Sequence, residues 1–364
     1  MPIPIHSQKM KIWLVAPSLH GHRGIWIQHL YNQLCEMHYS VDILSLRIDS
    51  SSGDSSDKTI GPELFRRITF VDSDKELRYF CKQRFKPSLV IPIFVEVDNF
   101  LPWLTLRSIN FVGIVMRPYL ENSTLAGTLR WLFKLLLIYF NVYVRKNKLG
   151  LLSIPFASNS GRSLTWIKDD VTLNRVTDYI TSNLSKSKKC NDYSENILVP
   201  GFLSSRKNPK FAIATFDILK MEFNSQMQLI FQGHTHELFS VNRIEDEEQQ
   251  IKHIDGFLET NTFYGVIESS RVVFLPYQNR GASGLVIESL VLGVPVVIIG
   301  NKRWKHLQSL SNGMLSHSRS DPRSAARAVQ GAISVERKSL HHLLKSESLD
   351  GVFNFVAKSI NAIS

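Results

Sequence analysis

Cysteine is scarce: Cys35, Cys81 and Cys190 are the only three in 364 residues, far apart and without a Cys-x-x-Cys pair. That usage argues against a disulfide framework and a zinc module, and fits a reducing compartment. Long hydrophobic runs are also missing near the N-terminus. MPIPIHSQKMKIWLVAPSLHGHRG has no basic start leading into a long apolar core and a cleavage site, and its apolar run, Ile12 to Ala16, is strand-sized. No export signal is expected. RNP-type, zinc-finger and basic-zipper patterns are absent although the formal charge is +11. Residues 1–190 carry 25 Lys and Arg against 15 Asp and Glu, a net +10, while 191–364 carry 18 against 17, a net +1. A basic first half without a nucleic-acid motif suits a phospholipid surface or a phosphate-bearing substrate; a solubilising surface is the plainer alternative.

What is present is ordinary globular material: 43% hydrophobic and 21% charged residues, in a chain long enough for about two domains. Lys11 to Pro17 reads as a buried strand, SLHGHRG as a turn, IWIQHLYNQLCEMH as a helix and VDILSL as the next strand. RITFV, SLVIPIF and INFVGIVM follow as further strands. Polar NLSKSKKCNDYSEN, about 183 to 196, reads as a linker. Beyond it NILVPGF, MQLIFQG, HIDGF, RVVFLPY and VPVVIIG alternate with helical segments, so both halves read as doubly wound α/β units. The division expected is 1–190, 191–345 and a C-terminal helix in 346–364, with Val352, Phe353, Phe355, Val356, Ile360 and Ile363 on one face, packing back on the first domain.

One stretch, RGASGLVIESLVLGVPVVIIG from Arg280 to Gly300, carries chemistry. It follows a strand end, where α/β proteins place ligand crevices, and its glycines let backbone N–H groups approach an anion. Ser283 is placed to cap a helix over about 283–292, whose positive end would seat a diphosphate. Glu288, about one and a half turns in, is placed to accept hydrogen bonds from vicinal hydroxyls such as those of ribose. The alternative is that Glu288 faces solvent or pairs with a nearby cation. The enzymatic reading is staked on Glu288 lying beside an opening between two lobes, neither buried nor turned outward.

This stretch resembles the C-domain signature of family 4 GT-B glycosyltransferases: Glu, seven residues, Glu, then small-x-x-x-Gly-x-Pro-Val. Glu288 matches the second glutamate, which in the family holds the donor ribose; Arg280 stands where the first would be. VPGFLSSRKNP resembles the family's Gly-Arg-x-x-x-Arg-Lys-Gly loop, with Lys207 at the lysine, Arg206 beside it and Phe202 in place of the arginine. HIDGFLETNTFYGVIESSRVVFLPY resembles the segment that leads into the signature. The likeness covers about 197–310; in the first half HGHRGIWIQHL resembles the family's Gly-Gly loop, with Arg23 and Gly24 at the two glycines and Gly21 before them.

The resemblance implies a GT-B α/β fold, two Rossmann-like doubly wound domains facing an interlobe cleft. It implies a metal-independent, retaining glycosyltransferase that uses a nucleoside-diphosphate sugar as co-substrate, with no other cofactor and no metal. The acceptor implied is a glycan or a lipid-linked sugar of cell-surface polysaccharide or glycolipid assembly. Donor-binding candidates are Arg206, Lys207, His234, Arg280, Gly281, Ser283, Gly284 and Glu288; His22 and Arg117 are catalytic candidates, and Gly21, Arg23 and Gly24 form the phosphate loop. His234 and His236 lack a third ligand for a metal. A catalytically weak nucleotide-sugar-binding or partner protein, and a nucleotide-sugar epimerase, are the rival functions. Gly127 to Lys148, apolar on nearly every side yet carrying cations, reads either as a core helix or as one leaning into an anionic membrane interface. The location implied is cytoplasmic, peripheral on the inner face of the membrane.

Overall fold

The computed structural model describes residues 11–16, 22–46, 62–73, 75–77, 79–80, 89–96, 110–117, 136, 148–152, 165–183, 194–201, 203, 207–223, 225–234, 250–256, 258–278, 283–300, 304–347 and 349–363. The chain divides into two compact units. The first holds Met1–Leu152, Ser160–Val171 and Leu349–Ser364; the second holds Thr172–Ser348 with Ser153–Asn159.

In the first unit the elements are β1 (Lys11–Ala16), α1 (His22–Glu36), β2 (Ser40–Leu46), α2 (Pro62–Phe65), β3 (Ile68–Val71), β4 (Leu89–Glu96), β5 (Asn110–Arg117), β6 (Lys148–Leu152) and β7 (Thr165–Ile167). The helix α3 (Asp170–Asn183) leads into the second unit, which contains β8 (Ser194–Pro200), α4 (Pro209–Phe223), β9 (Gln228–Gln232), β10 (Ile251–Ile254), α5 (Thr260–Ser269) and β11 (Ser270–Gln278). It continues with α6 (Gly284–Val291), β12 (Val296–Ile299), α7 (Lys305–Leu310), β13 (Leu315–Ser318), α8 (Pro322–Ile333) and α9 (His341–Lys345). Last, α10 (Val352–Ile363) returns to the first unit.

The first sheet runs β3-β2-β1-β4-β5-β6-β7 and the second β10-β9-β8-β11-β12-β13. All described pairings are parallel. Each sheet grows outward from its first strand and then restarts beside it, the doubly wound order. Parallel strands buried on both faces should be apolar throughout, and Ile12, Trp13, Leu14, Val15 and Ala16 of β1 are all buried, as are all four residues of β12. On α1, Trp26, Ile27, Leu30 and Leu34 recur at helical spacing and are buried. The helix starts at His22, so Arg23 and Gly24 lie in its first turn and not in the preceding loop.

The second unit's main core joins Val199, Phe231, Val272, Phe274 and Val297 of the strands to Ala212, Phe216 and Leu219 of α4 and Ala325, Ala326 and Val329 of α8. Fully burying one of the larger side chains contributes roughly 1.5–3 kcal/mol. Asp321 fixes the start of α8 by accepting from Ser324 N at 2.7 Å, with Pro322 in the first turn.

In α10, Val352, Phe355, Val356 and Ile360 form the buried stripe, and the helix packs on β5 and β6 of its own unit. Asp170 anchors its start: Oδ1 accepts from Val352 N at 2.8 Å, Lys168 N donates to Asp350 O at 2.9 Å, and a Cβ on Gly351 would overlap the Asp170 carboxylate. Loss of solvation raises the Asp170 carboxyl above its ordinary 3.8, against the lowering effects of the Val352 N–H and His29. A raised acid favours the fold when protonated, and that contribution fades as pH rises through its folded value. Asp170→Asn keeps the accepting oxygen and removes the titration. Its stability relative to wild type should therefore improve between about pH 4 and pH 7; melting curves showing a constant difference across that range would contradict this.

Candidate functional site

In the second sheet the chain leaves β8 outward through β9 and β10 and returns at β11 beside β8, so the switch point lies between the ends of β8 and β11. Gly201 follows β8 with φ of +99°, a left-handed conformation that glycine adopts without strain. Its N–H donates to Gln232 O at 2.8 Å, and Leu203 N donates to His234 O at 2.9 Å, so the segment continues along the extension of β9.

That path brings Lys207 to the switch point, 8% exposed. Its Nζ donates to Tyr277 Oη at 2.8 Å and stands 4.0 Å from the ring centroid. Tyr277 is reached through a register shift in β11 between Leu275 and Gln278, where Pro276 has no N–H to offer a ladder. A Cβ on Gly201 would lie 3.4 Å from Lys207 Nζ and 3.8 Å from Leu285 Cδ1, so the missing side chain keeps a gap open between the lysine and the first turn of α6.

Ser283 occupies the N-cap position of α6, but its hydroxyl makes no cap hydrogen bond, unlike the capping expected from the sequence; its carbonyl accepts from Val286 and Ile287 N. The amides of Gly284 and Leu285 precede these first bonds of the helix, and the helix dipole is positive there. A buried ammonium, a helix N-terminus and a side-chain-free gap form a corner suited to phosphate oxygens.

Glu288 lies one turn deeper and is 1% exposed. Its Oε1 accepts from Arg175 Nη2 at 2.6 Å and from Tyr264 Oη at 3.2 Å, while Arg175 Nε donates to the same hydroxyl at 2.6 Å. Three helices, α3, α5 and α6, thus meet in a closed triangle. The guanidinium carbon stands 5.3 Å from the Tyr264 ring centroid, and Tyr179 meets that ring edge-on at 5.2 Å. Burial, the largest single influence, pulls the Arg175 guanidinium down, but Glu288 and Tyr264 together outweigh it and the net shift is upward. Burial first, and Glu288 second, push the Tyr264 hydroxyl far up, so it stays protonated and can donate. Burial and Glu268, which accepts from Tyr179 Oη at 3.0 Å, push Tyr179 up to about 12.

This differs from the open acceptor the sequence required. At 1% exposure, with Oε1 committed, Glu288 does not present both oxygens to a diol; the alternative, pairing with a cation, describes Oε1. By that criterion Glu288 lends the enzymatic reading no support, and the donor reading rests on the phosphate corner instead. Arg175, Tyr264 and Tyr277 went unmarked in the sequence.

His234 stands after β9, 49% exposed, with Nδ1 3.3 Å from Oδ1 of Asp255 after β10. Gly284 is buried in the first turn of α6. His22 opens α1 after β1, and Arg117 ends β5 in register with Glu96, so both backbones stand on the C-terminal side of the first sheet. The side chains of His22, Arg23 and Arg117 lie outside the described set, as do Gly21, Phe202, Arg206, His236, Arg280 and Gly281. Gly127 to Lys148 also lies outside it, apart from Leu136 and the backbone of Lys148. Among the described residues no helix is long and apolar enough to cross a membrane.

No protein-family model matches the chain, and no curated protein matches its sequence. Solved structures do. Sucrose-phosphate synthase from Thermosynechococcus elongatus superposes with a TM-score of 0.61 at 15% identity, over 98% of this chain and 100% of the other. WaaG, a glycosyltransferase involved in lipopolysaccharide biosynthesis, gives 0.59 at 11%, over 98% and 99%. UDP-GlcNAc 2-epimerase of Methanocaldococcus jannaschii gives 0.58 at 11%, over 98% and 100%. Identities this low speak for architecture alone, and the architecture agrees with the two parallel sheets: the chain has the GT-B fold of group 1-like glycosyltransferases.

Proposed function

We propose that the protein is a glycosyltransferase that moves a sugar from a nucleoside-diphosphate sugar to a glycan or lipid-linked acceptor. The observation that carries this is the corner at the second sheet's switch point, where Lys207, the Gly201 gap and the start of α6 converge. Sugar transfer needs the departing diphosphate stabilised, and a fixed ammonium and helix dipole in a desolvated corner supply that charge where it develops. Positive charge from the protein is what supports a metal-independent reaction; retention of configuration follows from the family resemblance. The net +10 on residues 1–190 and the fold shared with a lipopolysaccharide glycosyltransferase support an acceptor at the inner face of the membrane, in cell-surface polysaccharide or glycolipid assembly.

A second reading, a nucleotide-sugar epimerase, is favoured by the equal coverage of the epimerase structure. Incubation with UDP-, GDP-, ADP- and dTDP-sugars separates them. A transferase should release nucleoside diphosphate from one donor by slow hydrolysis even without acceptor, and lose that release in Lys207→Met. An epimerase should return a new sugar nucleotide with nothing released. If every donor emerges unchanged, both readings fall.

A further inference from the structure

Both described hydrogen bonds to the Glu288 carboxylate fall on Oε1. Among the described residues none bonds Oε2. A carboxylate held this deep costs free energy unless each oxygen meets a donor, so a one-sided arrangement calls for a ligand hydroxyl or water on the other side. Leu285 and Glu288 are three residues apart and share a face of α6. Leu285 borders the Gly201 gap, so the carboxylate is about one helical turn, roughly 5 Å, below the phosphate corner. That separation suits a sugar attached to the bound phosphate.

We propose that Arg175 and Tyr264 are positioning residues that set the specificity of the donor site for a ribosyl over a 2′-deoxyribosyl nucleotide, by fixing the Glu288 carboxylate. Arg175 pairs with the carboxylate through Oε1, and the protonated Tyr264 hydroxyl, pinned by Arg175 Nε, sets its rotation. Oε2 is left as a pre-oriented acceptor for a ribose hydroxyl. Neither residue touches the nucleotide. The inference rests on the nucleotide-sugar reading above, and it replaces the two-oxygen acceptor with a single oxygen aimed by two helices.

The test is calorimetric titration of the full chain with UDP, GDP and ADP, with their 2′-deoxy counterparts and with dTDP. Wild type should prefer the ribo form of one nucleotide by at least about tenfold, since a site built around a hydroxyl discriminates against its loss. Tyr264→Phe, which keeps the ring and its packing, should cut that ratio to below about threefold. Arg175→Lys should retain more of the ratio than Arg175→Met. A purely structural role for the triangle would lower melting temperature while leaving the ratio untouched, and a wild-type ratio in both Tyr264→Phe and Arg175→Lys overturns the proposal alone. Binding without ribo preference in wild type also overturns it while sparing the nucleotide reading, as does binding of dTDP alone; binding of none of the six nor of dTDP overturns both.

Discussion

Arg175→Met is expected to destabilise the protein by about 3–5 kcal/mol, because it strands a carboxylate that is 1% exposed and ion-paired at 2.6 Å. The cost is that of an uncompensated buried charge and not of one lost hydrogen bond, which would be nearer 1 kcal/mol. The double variant Arg175→Met with Glu288→Gln should therefore be more stable than Arg175→Met alone, since it removes the charge together with its partner. Urea titrations of wild type, both single variants and the double variant measure this. If Arg175→Met costs under about 1 kcal/mol, or the double variant simply adds the two single losses, the pair is not the buried brace described.

Lys207→Met is expected to weaken nucleoside-diphosphate binding by about 10–150-fold, the equivalent of a charge-assisted contact of about 1.5–3 kcal/mol. Methionine retains most of the stem that packs on Tyr277, so folding should change little by comparison. Gly201→Ala should act in the same direction by a different route: it forces a side chain onto a φ of +99° and places a methyl in the gap between Lys207 and Leu285. Because Lys207 is buried, its contribution should persist in salt that screens the exposed cations.

Most of the fold was legible from short apolar strands separated by helical spacing, because a parallel sheet covered on both faces leaves few polar positions in its strands. The stretches that escaped notice, KLGLL in β6, TWI in β7 and LSHS in β13, are five residues or fewer and carry no alternation to distinguish them from loops. The polar segment near 183–196 reads as the linker, yet the units divide at Val171 and Thr172, inside α3. Composition registers polarity, whereas the division follows which neighbours the helix packs on. Lys207 could be found because its motif is local. Arg175 could not: it meets Glu288 across 113 positions, and nothing in LNRVTDY distinguishes a buried arginine from a surface one. The role expected of Glu288 was altered by that unseen partner.

The measurement that bears most directly on the central claim is titration of wild type and Lys207→Met with UDP, GDP, ADP and dTDP under identical salt. The account expects one of the four to bind wild type and to lose at least about tenfold in affinity, some 1.4 kcal/mol, in the variant. Equal affinity in the two proteins, or no binding by any of the four, would contradict it.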